Sequence, residues 1–194
     1  WSSDVCSSDL IGMTFEKTVT LKDGRNCLLR NGVTSDGKAV LDVFNRTHEE
    51  TDYLLTYSDE NCFTASQEAD FLQRKTDSTN TVEIIAIVDG VVAGTAGIDA
   101  LGMRDKIKHR AVFGIAITKE FWGLGIGKSM MEACIECARE AGYLQLELEV
   151  VAENERAVEM YRRAGFIEYG RNPKAFRLRT GEYQELIDMR LELK

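Results

Sequence analysis

The sequence predicts an α/β (α+β) fold in which helices pack on a mixed central sheet of about six or seven strands. Two helical segments come first, a run of apolar strands follows, and a glycine-rich loop then leads into alternating helices and strands. The strands between 82 and 118 are almost continuously apolar, which is typical of a sheet covered on both faces. The length of 194 residues suits one domain with a core of its own.

Turn and helix-stop residues divide the chain into these elements. Asp-Gly pairs at 23–24 and 89–90 indicate hairpins, and glycines at 142 and 165 end helical patterns. Helices are predicted at about 35–51, 66–77, 128–141 and 155–164. Strands are predicted within a hairpin at 15–30 and at about 82–88, 91–100, 111–118, 144–151, 166–171 and 182–193.

Composition argues against several classes of protein. The chain has 24 Lys and Arg against 32 Asp and Glu, a net charge of −8. Nucleic-acid binding needs a basic face, so we expect no nucleic-acid partner. The acidity weakly favours a cationic partner such as an amine. Because no run of 18 apolar residues is present, we expect no membrane span and a cytoplasmic protein.

The first twelve residues differ in character from the rest of the chain. The segment WSSDVCSSDL is rich in Ser and Asp and lacks the basic and apolar regions of a signal peptide. It resembles translated adapter sequence. We therefore expect residues 1–12 to be a non-native leader and residues 13–194 to form the single domain.

The five cysteines are scattered and odd in number, which does not indicate a disulfide framework. Cys134 and Cys137 form a C-x-x-C, but a four-sulfur zinc site needs a second pair, and the sequence has none. We interpret both as buried helix cysteines and expect no metal site.

A glycine loop carries the strongest chemical signal. Gly123, Gly125 and Gly127 lie between a predicted strand and a predicted helix. Glycines allow a tight turn and let a ligand approach backbone N–H groups, and the start of a helix attracts anions such as a diphosphate. Lys128 and Ser129 could add a charge and a hydroxyl. A tight strand–helix connection without a ligand would have the same pattern.

The spacing of the glycines does not fit two nucleotide-binding motifs. A dinucleotide fingerprint is G-x-G-x-x-G, whereas this loop is G-x-G-x-G. A Walker loop requires a first Gly where this chain has Trp122. The spacing therefore argues against both a dinucleotide-binding loop and a Walker-type nucleotide-binding loop.

The segment from Ile115 to Gly127, IAITKEFWGLGIG, closely resembles the central acetyl-CoA motif of the GNAT acetyltransferase superfamily, an apolar strand followed by [Q/R]-x-x-G-x-[G/A]. Trp122 departs from the Gln/Arg of that motif, but the backbone N–H cradle does not depend on that side chain. Asn154, Tyr161 and Gly165-Phe166 match the family's ending N-x(6)-Y-x(3)-G-F. The likeness covers roughly residues 80–193 and implies a GNAT-type fold that uses acetyl-CoA.

The resemblance also implies which residues hold acetyl-CoA. Backbone groups of one strand would pair with the pantetheine arm, N–H groups of the loop would hold the diphosphate, and Asn154 would bind pantetheine or cap its helix. The implied cofactor-binding residues are Ile115, Ala116, Ile117, Gly123, Leu124, Gly125, Ile126, Gly127, Lys128, Ser129 and Asn154.

Two residues are candidates for proton transfer. By the same resemblance, Tyr161 would protonate the departing thiolate; without it, a core aromatic would be the favoured reading. Glu149 lies twelve positions earlier, on the strand face that it shares with Glu147. That offset matches the proposed base of the family's ribosomal-protein alanine acetyltransferases, although a structural role for Glu149 is also open.

The expected activity is transfer of the acetyl group of acetyl-CoA to an amine, with no covalent enzyme intermediate. The alternative is a non-catalytic acyl-CoA-binding or sensory module on the same fold. The acceptor, whether a small molecule, a protein N-terminus or a lysine, is left open, as is a homodimer. We expect the acceptor specificity to be determined by the first two helices, the turn at 104–110 and the hairpin around 172–183.

Overall fold

The computed structural model describes residues 12–194, so the predicted leader lies outside the described residues except for Gly12. The four helices are α1 Gly37–Glu50, α2 Ala65–Thr76, α3 Ile126–Glu140 and α4 Glu155–Arg163. The eight strands are β1 Glu16–Thr20, β2 Asn26–Asn31, β3 Val82–Val88, β4 Val91–Ala100, β5 Arg110–Ile117, β6 Gln145–Val151, β7 Ile167–Arg177 and β8 Tyr183–Glu192.

All eight strands form one sheet in the order β1-β2-β3-β4-β5-β6-β8-β7. The α/β class and the mixed sheet are confirmed, but the predicted count of about six or seven strands was too low. The first hairpin does not stand apart from the sheet, because β2 pairs with β3 through registers such as Arg30↔Ile85. Met13 is also packed into the fold: its N–H donates to the Ser78 carbonyl at 2.8 Å.

Strand β7 is longer than the sequence indicated. The predicted strand ended at about Arg171, two residues before Pro173, whose nitrogen cannot donate a ladder hydrogen bond. In the structure the strand continues to Arg177, and its pairing with β8 shifts register between Asn172 and Phe176. An edge strand with an irregularity at the proline accommodates it without losing a bond to a second neighbour.

Helices cover the two faces of the sheet unequally. Helices α1 and α2 pack on one face of β3 to β5, with Val40, Leu72 and Ile85 in a small core. Helix α3 packs on the opposite face, in a larger core that also includes Val158 and Tyr161 of α4. No helix within residues 12–194 has the length and apolarity that a bilayer crossing requires.

The sheet opens in its centre. Parallel strands β5 and β6 pair only through Arg110↔Gln145, Ala111↔Leu146 and Val112↔Glu147. Beyond these pairs the two strands diverge, although β5 remains paired with β4 as far as Ile117. The second half of β5 therefore has one edge without a strand partner, and backbone N–H and C=O groups on such an edge can bond to a ligand.

The predicted buried cysteines of α3 are confirmed. Cys134 and Cys137 are buried and free. Burial raises the pKa of the Cys137 thiol to about 12 and raises that of Cys134 as well. A thiol that stays protonated is a poor nucleophile and a poor metal ligand.

Candidate active site

A cavity of about 1150 Å³ lies at the opening between β5 and β6. Its lining brings together the glycine loop, the unpaired part of β5, α4, residues 51–55 and side chains of β6 to β8. A second depression of about 690 Å³ beside α4 and β8 contains none of the predicted site residues. The larger cavity is therefore the candidate site.

The glycine loop turns through conformations that favour glycine. Gly123 has φ +85° and Gly125 has φ +97°, and a Cβ at Gly125 would meet no atom within 4 Å. Gly125 is the N-cap of α3, so the first N–H groups of this helix have no intrahelical partner. The loop therefore presents free donors and the positive end of a helix dipole to the cavity, as an anion requires.

Gly127 serves packing rather than the turn. It lies inside α3, and a Cβ there would approach the Met160 Sδ to 3.3 Å and the Ile117 Cδ1 to 3.4 Å. The absence of a side chain lets α3 lie close to β5 and α4. Of the other predicted cofactor residues in this segment, Ile126 and Lys128 line the cavity, whereas Leu124 and Ser129 do not.

Trp122 occupies the position at which the family motif has a polar residue, and its side chain makes two kinds of contact there. Its indole N–H donates to the Ile117 carbonyl at 2.6 Å, which ties the loop to the end of β5. The Lys119 ammonium and the Arg156 guanidinium lie 5.7 and 5.5 Å from the centre of its ring. Trp122 therefore holds two cations beside the loop, where negative charge on a ligand would be stabilised.

The predicted pantetheine-pairing residues lie on the unpaired part of β5. Ile115, Ala116 and Ile117 all line the cavity. The opposite edge of these residues is occupied by β4, through the pairs Ala96↔Ile115, Thr95↔Ala116 and Gly94↔Ile117. The edge that faces the opening is thus positioned to accept an extended ligand as an added strand.

Asn154 and Tyr161 bring α4 into the site. The Asn154 side chain accepts a hydrogen bond from the Ala157 N–H at 3.3 Å, so the residue caps its helix while lining the cavity. Tyr161 is 6% exposed and also lines the cavity, with its ring edge-to-face against Phe113 at 6.1 Å. Burial raises the pKa of the Tyr161 phenol well above its ordinary value of 10.0, so it keeps its proton at physiological pH.

The two glutamates of β6 have different environments. Glu147 is buried and forms a double ion pair with Arg110, whose Nη2 lies 2.6 Å from its Oε2. Glu149 is exposed, lines the same cavity as Tyr161, and lies opposite Asp188 of β8. Only Glu149 therefore offers a carboxylate that is not already bound to a cation, as a base requires.

Glu83 is the carboxylate whose pKa is raised most clearly, yet it lies outside the cavity. Burial raises its pKa to about 7, opposed by the charge of Lys75 and a hydrogen bond from Thr95. It belongs to a charge cluster under α2, where the Lys75 Nζ lies 2.5 Å from the Asp99 Oδ1. Its pKa therefore reflects structural burial.

The structure adds a wall that the sequence did not identify residue by residue. Residues of the α1–α2 connection, among them Tyr53, Leu54 and Leu55, face Tyr169 and Phe176 of β7 in the lining of the cavity. The sequence indicated only the broad segments, because no local motif marks residues that meet through tertiary packing.

A clamp joins the two sides of this wall. The Arg179 guanidinium binds the Asp59 carboxylate through two contacts of 2.9 and 2.7 Å. The same guanidinium carbon lies 4.0 Å from the centre of the Tyr57 ring, and the backbone N–H of Arg179 donates to the Tyr57 hydroxyl at 3.1 Å. The clamp fixes the turn between β7 and β8 against the α1–α2 connection.

One cavity contains a loop with free N–H groups, an unpaired strand edge, a protonated phenol and an exposed carboxylate. This combination is typical of an acyltransferase. The loop and edge suit a long phosphorylated carrier, and the phenol and carboxylate suit proton transfer at its reactive end. No group of three or more potential metal ligands occurs within residues 12–194.

Comparisons with known proteins identify the family. The acetyltransferase (GNAT) family profile matches residues 41–166. The L-amino acid N-acetyltransferase AaaT of Escherichia coli K12 is 31% identical over 118 residues, which cover 60% of this chain and 72% of that protein. The chain therefore belongs to the GNAT family, which confirms the resemblance seen in its sequence motifs.

Solved structures agree with this assignment. A GNAT-family acetyltransferase of Streptococcus pneumoniae matches with a TM-score of 0.82 and 27% identity, over 86% of this chain and 99% of that one. A putative acetyltransferase of Salmonella typhimurium, solved with its cofactor acetyl-CoA, matches with a TM-score of 0.77 and 16% identity, over 87% and 95% of the two chains. The GNAT-type fold expected from the sequence is confirmed.

Proposed function

We propose that the protein transfers the acetyl group of acetyl-CoA directly to an amine of a small molecule, a protein N-terminus or a lysine. The observation that carries this proposal is the single cavity at the β5–β6 opening, which joins the glycine loop to Tyr161 and Glu149. An enzyme that brings both reactants into one cavity needs no covalent intermediate, because proximity supplies much of the rate.

The described residues fit acetyl-CoA along the length of the cavity. The unpaired N–H groups at the start of α3, with Lys128 and Arg156, would bind the diphosphate. The free edge of β5 at 115–117 would pair with the pantetheine amides. Bound in this way, acetyl-CoA supplies an activated thioester carbonyl.

The proton transfers are assigned to two side chains. Glu149 would accept a proton from the ammonium form of the acceptor, directly or through water, and the free amine would attack the thioester carbonyl. As the C–S bond breaks, Tyr161 would donate its proton to the thiolate, and the attacking nitrogen would lose its second proton to the Tyr161 phenolate or to water. An amide and a free thiol are then the products, and solvent restores the two side chains.

The alternative of a non-catalytic acyl-CoA-binding module is not favoured. AaaT and the N-alpha-acetyltransferase 30 of Schizosaccharomyces pombe, 35% identical over 57 residues, are both named for N-acetyl transfer. The latter match covers 29% of this chain and 38% of that protein. A cytoplasmic location and the absence of nucleic-acid and membrane partners stay predictions, and a homodimer stays open.

A thiol-release assay with acetyl-CoA and a panel of amines tests the proposal. We expect free thiol and acetylated amine to appear in equal amounts, and only when an amine is present. Binding of CoA, seen as a rise in melting temperature, without acetyl transfer to any small amine, N-terminal peptide or lysine peptide would instead support the binding module.

A further inference from the structure

The lining of the cavity divides into two parts of opposite charge. The first part contains four lining cations, Lys22, Lys128, Arg156 and Arg163, from α4, the start of α3 and the β1–β2 turn. Two lining carboxylates, Glu132 and Glu159, pair with Lys128 and Arg163, so this part keeps a net positive charge. The second part, which we call the acceptor wall, comprises the lining residues of 51–55, Leu101, Val112 and β6 to β8. The charged residues of the acceptor wall are Glu147 and Glu149, so this part carries no lining cation.

Arg110 and Arg190 lie near the acceptor wall, but neither of them lines the cavity. Arg110 is bound by both oxygens of Glu147, so this pair is neutral as a unit. Arg190 lies over the Tyr169 ring, 5.9 Å from its centre, with its Nη2 3.7 Å from the Glu192 carboxylate. Its buried Nε has no hydrogen-bond partner among the described residues, but the side chain does not line the cavity. A ligand carboxylate inside the cavity would therefore meet no guanidinium group among the lining residues of the acceptor wall.

The carboxylates at this wall favour a cation instead. Glu149 lies opposite Asp188 of β8, which is next to the wall but does not line the cavity, and neither carboxylate forms an ion pair with any residue from 12 to 194. Like charges directly opposite on a sheet repel, so a cation between them is stabilised by both. A protonated amine supplies that charge, and a carboxylate beside it would reduce the gain.

Most of the other residues of the acceptor wall are apolar, and some of them are accessible. Leu55 is 81% exposed and Val112 is 38% exposed, and Leu54, Phe176 and Leu186 also line the cavity. Accessible apolar surface inside a concave site is typical of a ligand-binding pocket. An apolar or aromatic group on the acceptor would cover it.

We propose that the acceptor is a small amine that carries an apolar or aromatic group and has no carboxylate beside the amine. This inference rests on the proposed acetyl transfer and narrows its acceptor. The Arg179–Asp59 clamp ties the two sides of the acceptor wall together, which favours a small molecule over a folded protein. The inferred class differs from that in the name of the L-amino acid N-acetyltransferase relative.

The test uses three acceptors that differ only in the group beside the amine: phenethylamine, L-phenylalaninamide and L-phenylalanine. We expect kcat/KM for the first two to exceed that for L-phenylalanine by about tenfold or more, since juxtaposed like charges weaken binding strongly. The amide has the size of the carboxylate without its charge, so it separates charge from shape. Rates are compared from pH 6 to 10, so that differences in amine ionisation are removed.

The second part of the test adds a positive charge to the acceptor wall. Leu55→Arg should raise kcat/KM for L-phenylalanine relative to L-phenylalaninamide by about tenfold, because it supplies the missing cation. Leu144→Arg is the matched control, since Leu144 is also exposed, at 61%, but does not line the cavity. The control should leave the ratio unchanged.

The outcomes separate the two proposals. A kcat/KM for L-phenylalanine that equals or exceeds the one for L-phenylalaninamide would overturn the inferred acceptor class. The proposed acetyl transfer would not be affected by that result. An unchanged ratio in Leu55→Arg would overturn the assignment of this wall to the acceptor. Acetylation of no amine in the panel, despite binding of CoA, would count against the proposed function itself.

Discussion

The two ends of the cavity are built by different means. The glycine loop presents backbone groups, held by the positive φ angles of Gly123 and Gly125 and by the start of α3. The acceptor wall presents side chains, and its clamp joins Asp59 to Arg179 across 120 positions of the chain. We therefore expect binding at the loop to tolerate Trp122 in place of the family's polar residue, whereas binding at the acceptor wall should depend on each side chain.

Tyr161→Phe should give the largest effect, because it removes a proton donor from the point where the two ends meet. Turnover should fall by about 10²–10⁴-fold, the range of general acid catalysis, with acetyl-CoA affinity nearly unchanged because the ring remains. Steady-state kinetics with an identified amine and a direct CoA-binding measurement would check both.

Tyr143→Phe is the matched control for this substitution. Tyr143 is also buried, but its hydroxyl donates to the Asn80 carbonyl at 2.9 Å and it does not line the cavity. It should lose about 1 kcal/mol of stability and retain its turnover. A native rate in Tyr161→Phe, with chemistry rate-limiting, would show that water or another group protonates the thiolate.

Glu149→Gln tests the acceptor side of the same reaction. Turnover near neutral pH should fall by about 10²-fold if the carboxylate accepts the proton of the ammonium group. The loss should shrink as the pH rises, because the acceptor then arrives already deprotonated. A pH–rate profile measures this, with Glu192→Gln on β8 as an exposed control that does not line the cavity. If the pH–rate profiles of Glu149→Gln and Glu192→Gln have the same shape, Glu149 is not the base and its role is structural.

Gly125→Ala tests whether the loop end depends on its backbone. A Cβ at φ +97° adds strain of about 1 kcal/mol and projects into the space expected for the diphosphate. Gly142→Ala introduces the same strain at φ +80°, also with no atom within 4 Å, beyond the other end of α3. Both variants should lose similar stability, and only Gly125→Ala should lose much of the CoA-induced rise in melting temperature.

The magnitude of that rise follows from mass action. A ligand at 100 times its Kd stabilises the folded state by about 2.7 kcal/mol, so a tenfold loss of affinity removes about half of this. Equal CoA-induced rises in the two variants would contradict the loop assignment.

Arg179→Ala should have the smallest effect and tests the acceptor wall by itself. An exposed ion pair contributes about 0–1 kcal/mol, so the melting temperature should change little. The KM of the amine should nevertheless rise several-fold, because the two sides of the wall lose their link, while acetyl-CoA binding stays unchanged. Arg25→Ala, which removes exposed ion pairs to Asp23 and Asp89, is the control. If the amine KM is the same in Arg179→Ala and Arg25→Ala, the clamp does not contribute to acceptor binding.

The sequence predicted the elements that local patterns determine. Helix bounds agreed to within two residues, and β3 and β4 agreed at both ends, because glycine turns and apolar periodicity mark them. The glycine loop was predicted for the same reason, since the chain itself supplies its turn and helix start.

Features that arise from packing were not predicted. Gly127 has the same residue type as Gly125 but allows contact with Ile117 and Met160, which no local pattern reveals. Likewise, the alternation of side chains placed Glu147 and Glu149 on one face of the strand. Only the tertiary structure shows that Glu147 forms an ion pair with Arg110. The continuation of β7 past Pro173 depended on a neighbouring strand in the same way.

The opening between β5 and β6 has a mechanical consequence. It divides the sheet into a plate of five strands, β1 to β5, and a plate of three, β6, β8 and β7, joined along the short stretch from Arg110 to Val112. A ligand bonded to the free edge of β5 would act as the missing strand between the plates. Binding of the ligand would then slow amide hydrogen exchange in the second half of β5.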